Sequence, residues 1–98
     1  LQGSIPSLKR LIIEFIAKKN KEGILAVSLV EIYEAMEKVI QERNLTDRFT
    51  LNTFRNNIRG EINTHEVEST HKANLKLFKR EGLALYSLAE NGKKYNGR

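Results

Sequence analysis

The chain has no cysteine, no tryptophan, one proline and one methionine in 98 residues. Without cysteine there is no disulfide framework and no zinc cluster built on thiolates, a composition that fits a reducing cytoplasm. No apolar run approaches the roughly 18 residues of a membrane span. No secretory signal pattern is visible. Histidine is scarce too, with only His65 and His71. "GEINTHE" lacks the H-E-x-x-H spacing of a zinc protease helix, and no carboxylate pair stands at metal-ligand spacing. The six glycines make no phosphate loop. "NLT" at Asn44 is a glycosylation tripeptide without any secretory context. The sequence therefore points away from an enzyme, a metal site and a cofactor.

A starting methionine is also missing. The opening "LQGS" reads as a cloning remnant over residues 1–4, which makes the chain a piece of a longer protein. The rest is one small domain over residues 5–92, followed by a basic tail over residues 93–98. Forty per cent hydrophobic residues supply one modest core and no more.

The chain does carry positive charge, a net +5. It is unevenly placed. Residues 1–49 hold eight Lys/Arg against seven Asp/Glu, and residues 50–98 hold nine against five. A basic half suits a polyanion partner.

Hydrophobic spacing predicts the elements. Leu8, Leu11, Ile12, Phe15 and Ile16 form a helical stripe, with Pro6 in the first turn and Gly23 as a left-handed stop. "ILAV", residues 24–27, reads as a brief strand. Ser28 and Glu31 have the spacing of a capping box. The stripe Leu29, Ile32, Tyr33, Met36, Val39 and Ile40 follows, with Glu31, Glu34, Glu37, Lys38 and Glu42 facing water and Asn44 as the stop. Thr50 caps a third helix, whose stripe is Leu51, Phe54, Ile58, Ile62 and His65. At 100° per residue these lie within about 60° of one direction. Gly60 could end this helix, but Ile62 continues the stripe beyond it. "LKLFKREGLALYSL" then changes period and reads as a hairpin turning at residues 80–82. The expected fold is α+β and mainly helical: a winged helix-turn-helix of three helices and a hairpin wing.

The third helix is unusual. Its outward side carries Asn52, Thr53, Asn56, Gly60 and Asn63, all poor helix formers, with Arg59 on the flank. Asn can pair with adenine N6 and N7, and Arg with guanine O6 and N7. Gly60 would let a groove floor come close. In the wing, Lys76, Lys79 and Arg80, with Lys72 before them, suit phosphate contact. The bland alternatives are a solvated face on the helix and a basic hairpin that discourages strand pairing.

"TLNTFRNNIRGEINTH", then a Ser and a short gap, then "LFKREGLALYSLAENGKK", resembles the winged-helix modules of the HARE-HTH type. These are attached to restriction endonucleases and related DNA-modifying or chromatin proteins. The shared features are a Thr-capped helix, an N-x-x-R-like spacing (Asn56 to Arg59), a Ser before the wing and a G-x-Y-x-L ending. Here that ending runs from Gly82 to Leu88, one residue longer than usual. The likeness covers residues 50–88 well and 6–92 loosely. It implies double-stranded DNA as partner, sometimes with modified bases, and a fused nuclease domain. A pocket for a flipped base would need aromatic walls, and the aromatic residues here lie mostly on core stripes. One rival reading is a winged helix for protein–protein contact, which would expose a broad apolar patch. Another is a dimeric regulator, which would need a second apolar face on the first helix.

Overall fold

The computed structural model describes residues 6–49 and 51–97, with Leu51 described by its backbone alone. The proposed remnant at residues 1–4, the Thr50 cap, the Leu51 side chain and Arg98 lie outside the described residues.

Helix α1 spans Leu8–Lys21. The Ser7 hydroxyl caps it by accepting from Arg10 N–H at 3.2 Å, which satisfies one of the amides a helix start leaves over. Pro6 therefore precedes the cap and does not occupy the first turn. The helix stops at a Glu22 cap, after which Gly23 takes φ +90°, as expected from its lack of Cβ. Helix α2 spans Leu29–Glu42, and its capping box forms in both directions, at 3.1 Å and 2.9 Å. Asn44 follows the helix at φ 57°.

Helix α3 spans Leu51–Thr64 and runs straight through Gly60. Phe54, Ile58 and Ile62 are wholly buried. They meet Leu11, Ile12 and Ile16 of α1 and Ile32, Met36 and Ile40 of α2 in one core. The sequence stripe on α1 missed Ile13, which is buried, and overrated Phe15, which is half-buried.

Strand β1 is only Val27–Ser28. Ile24 and Leu25 are exposed. Their carbonyls accept from the Asn20 side chain at 2.8 and 3.1 Å, so Asn20 holds this segment as a helix-end loop. Strands β2 (Phe78–Gly82) and β3 (Leu85–Leu88) form the hairpin, and β1 adds to β3, giving the antiparallel order β1-β3-β2. The turn lies at Leu83 and Ala84, not at residues 80–82. Arg80 pairs with Tyr86 and Gly82 with Leu85, with a register break between them. The irregularity at Glu81 carries the strand two residues further than the "REG" signal suggests. Ala84 takes φ 51°, and its carbonyl accepts from Leu29 N–H at 2.9 Å, which docks the turn onto the start of α2.

A fourth helix, α4, spans Glu90–Lys94. Lys93 and Lys94, assigned to the tail by sequence, belong to it. Ala89 N–H donates to Leu77 O, and Arg10 donates to Tyr95 O at 2.8 Å. Gly92 is buried so closely on the Leu77 carbonyl that a Cβ there would collide with backbone. Ile13 shares a pocket with Leu88 of β3 and Gly92 of α4, neighbours from the C-terminal elements that the α1 stripe could not anticipate. The result, among the described residues, is an α+β fold of four helices and a small three-stranded antiparallel sheet. Among the described residues no helix is long and apolar enough to cross a membrane.

Phe54→Ala should destabilise the fold by about 3–5 kcal/mol, read as a lower midpoint in urea unfolding. An unchanged midpoint would mean that the α3 stripe is not core. Gly92→Ala should also lower the midpoint, because the neighbour in the way is backbone and cannot turn aside. A variant as stable as the parent would remove α4 from the cooperative unit.

Candidate nucleic-acid interface

The inward stripe of α3 fixes which side faces out. Asn52, Thr53, Asn56, Arg59, Gly60 and Asn63 are all exposed. A Cβ at Gly60 would meet nothing within 4 Å, and its φ is not left-handed, so neither packing nor backbone conformation demands glycine. The missing side chain opens a groove of about 470 Å³ between α3 and the pair Leu8 and Phe49. Within the face, Arg59 Nη2 donates to Asn56 Oδ1 at 3.2 Å. That bond changes the expected chemistry. Arg59 occupies one of the two lone pairs of the Asn56 carbonyl, so the pair presents a guanidinium steered along the face.

Arg55 is absent from this face. Its Nε and Nη2 grip Glu37 at 2.7 and 3.0 Å, and its guanidinium stacks 5.0 Å from the Tyr33 ring centre. Glu37, expected to be a solvated charge, is half-buried, and its pKa is lowered chiefly by the hydrogen bonds from Arg55. The fork ties α3 to α2 and orients the outward face. It also removes one cation from anything that approaches.

The basic residues after α3 do not form one surface. Lys72, Lys76, Lys79 and Arg80 are all exposed. Lys79 and Arg80 are neighbours on a strand, so they point to opposite sides of the sheet. Arg80 shares the face of Tyr86, and Lys79 that of Ser87. Beside them a cleft of about 380 Å³ is lined by Glu66, Glu68 and Glu81 as well. These carboxylates offset much of the positive field expected from the wing.

Sequence reasoning passed over most of residues 65–77, where the described chain is most heavily tied. His65 is buried. Its Nδ1 accepts from Leu75 N–H at 3.0 Å, and its carbonyl accepts from Leu77 and Phe78 N–H at 2.8 and 3.0 Å. Asn74 donates to the carbonyls of Glu66 and Ser69 at 2.8 and 3.1 Å. Its Oδ1 accepts from Lys76 N–H at 2.7 Å, where Lys76 takes φ 57°. Asn91 of α4 donates to Leu75 O at 3.1 Å. The spacing from Asn74 to Lys76 is that of an Asx turn, the one local signal available in sequence. Among the described residues no group of His, Asp or Glu is arranged to hold a metal. Comparison of the chain with protein-family models, curated proteins and solved structures finds no match.

Because Nδ1 of His65 accepts, the neutral ring carries its proton on Nε2, which faces Glu61 Oε1 at 3.7 Å. Burial lowers the His65 pKa below its ordinary 6.5. Lys9 and His71 push the same way, and Glu61 opposes them. A folded-state pKa below the unfolded one makes the unfolded chain the better proton binder in that window. Stability is therefore full above about pH 6.5 and falls as pH drops below it. His65→Asn keeps an acceptor for Leu75 N–H without a titrating ring. Melts across this range should show a flatter profile for the variant, and parallel profiles would refute the assignment.

Proposed function

We propose that this chain is a winged-helix domain that binds double-stranded DNA, with α3 as the helix that enters the groove and the β2–β3 hairpin as the wing. The observation that carries this reading is the outward face of α3. Four helix-weakening residues and an arginine stand opposite a wholly buried stripe, and Gly60 sits among them without a packing reason. A helix kept for scaffold alone would be more stable with Ala there, by about 0.5–1 kcal/mol. The element order and the strand order β1-β3-β2 support the same reading, as does the resemblance to modules attached to restriction endonucleases. On this reading the domain is a non-catalytic, cytoplasmic targeting module that delivers a fused nuclease or other DNA-modifying domain.

Arg59 reads a base edge, most naturally guanine O6 and N7, with Asn56 holding its guanidinium in place. Asn52, Thr53 and Asn63 complete the helix face. Lys72, Lys76, Lys79 and Arg80 meet phosphates on either side of the wing. A second reading, contact with another protein, draws on Leu83 at the hairpin tip, which is 90% exposed, and Val30, which is 54% exposed. Both flank the bond that docks the turn onto α2.

Salt separates the two readings. Duplex binding should weaken as salt rises, with a log–log slope of about −0.9 per phosphate neutralised. A flat response, or no binding at low salt, would favour the protein partner. Within the DNA reading, Arg59→Ala should leave the melting temperature equal or slightly higher and weaken specific binding by about 1–3 kcal/mol. Gly60→Leu should fold normally and lose binding through blocked approach. If both variants bind like the parent, α3 is not the reading helix.

A further inference from the structure

The segment between α3 and β2 is held more firmly than a connection requires. His65, Asn74 and Asn91 fix it by side-chain hydrogen bonds, although its apex, Thr70 to Ala73, is exposed. Rigid loops with exposed polar apices are where binding groups are commonly presented, and prior ordering lowers the entropy lost on contact. Between this apex and the end of α3 lies a notch of about 280 Å³, lined by Asn63, Thr64, Ser69, Thr70 and His71. Asn63 belongs to the outward face of α3, so the notch continues that face.

The notch is rich in donors. Ala73 N–H donates to Nδ1 of His71 at 3.1 Å, which leaves the neutral ring's proton on Nε2, at the far side. Ser69 Oγ accepts from His71 N–H at 3.1 Å and keeps its own proton to give. Thr64 and Thr70 add hydroxyls, and Asn63 adds an amide. Lys72 stands next along the chain, exposed. The end of α3 contributes the negative pole of the helix dipole, so attraction for an anion has to come from these side chains. A group with several acceptor oxygens and no donors suits such a set, and a phosphodiester is one.

We propose that the notch between the end of α3 and residues 69–71 holds a backbone phosphate of the duplex that α3 reads. This rests on the DNA-binding reading above and adds a contact made by uncharged donors, distinct from the basic wing. Such a contact fixes register and carries no sequence information.

The test is duplex binding by the Thr70→Ala/His71→Asn double variant, measured on two unrelated sequences across a salt series. His71→Asn keeps an acceptor for Ala73 N–H and removes the Nε2 donor. Affinity should fall about tenfold or more on both duplexes, as expected for lost hydrogen bonds to a charged group. For Thr70→Ala the salt slope should stay unchanged, because a hydroxyl donor carries no charge and its loss alters no counterion release. Lys72→Ala should instead make the slope shallower by about one. Thr70→Ala alone, at an exposed position, repeats the comparison if the double variant folds poorly, with a smaller loss. If parent and variants bind both duplexes equally, the notch proposal falls and the α3 reading stands. A loss on only one duplex would make the notch a base reader and overturn the proposal. If the parent binds neither duplex at any salt, the DNA reading fails, and the notch proposal fails with it.

Discussion

The fold turns on His65. One residue ends α3, supplies a buried ring and offers a carbonyl that starts the sheet. Leu75, Leu77 and Phe78 each give it an N–H. A buried amide without a partner costs about 1–3 kcal/mol, so these bonds are obligatory once Leu77 and Phe78 enter the core. They fix where β2 begins relative to the helix. Three parts of the surface inherit their position from that junction: the outward face of α3 before it, the loop around it and the hairpin beyond it. The ring can play this part only while neutral, because a protonated Nδ1 would face Leu75 N–H as donor against donor.

The three long helices were legible in the sequence because their stripes obey one period and their ends carry ordinary signals. Ser28 with Glu31 is a local device and formed as read. Ile62 correctly outweighed Gly60 as evidence for where α3 ends, since a buried isoleucine is worth more than a glycine's helix penalty. The polar side of α3 followed by subtraction. What sequence could not show was decided by distant partners. Ile13 has Leu88 and Gly92 as neighbours, and α4, whose residues 93–94 the sequence assigns to a basic tail, is held by Gly92 close on the Leu77 carbonyl and by Arg10 on Tyr95. "REG" resembled a turn, but Ala84 accepts the turn geometry and docks on α2. The sequence marked Asn56 and Arg59 as neighbours on one face. It could not show that Arg59 donates to the Asn56 carbonyl.

Charge in this domain is arranged by pairing more than by excess. The net +5 already counts the paired carboxylates, and two of the cations are tied up in such pairs: Arg55 is committed to Glu37 and Arg10 lies 3.3 Å from Glu14. Near the hairpin, Glu66, Glu68 and Glu81 lie beside Lys79 and Arg80. What an approaching polyanion would meet is set by the cations outside these pairs.

Strand β2 is the outer member of its sheet, and an outer strand can recruit a strand from another molecule. Here it is shielded at one end, where Glu66 bridges Phe78 in parallel fashion. Beyond that point come Lys79 and Arg80, and then the break in register at Glu81. Charge and irregularity are both deterrents to edge-to-edge growth. The hairpin's cations thus keep the outer edge of β2 unattractive to a second strand. Neutralising them together would lift that deterrent and favour self-association through the unpaired edge.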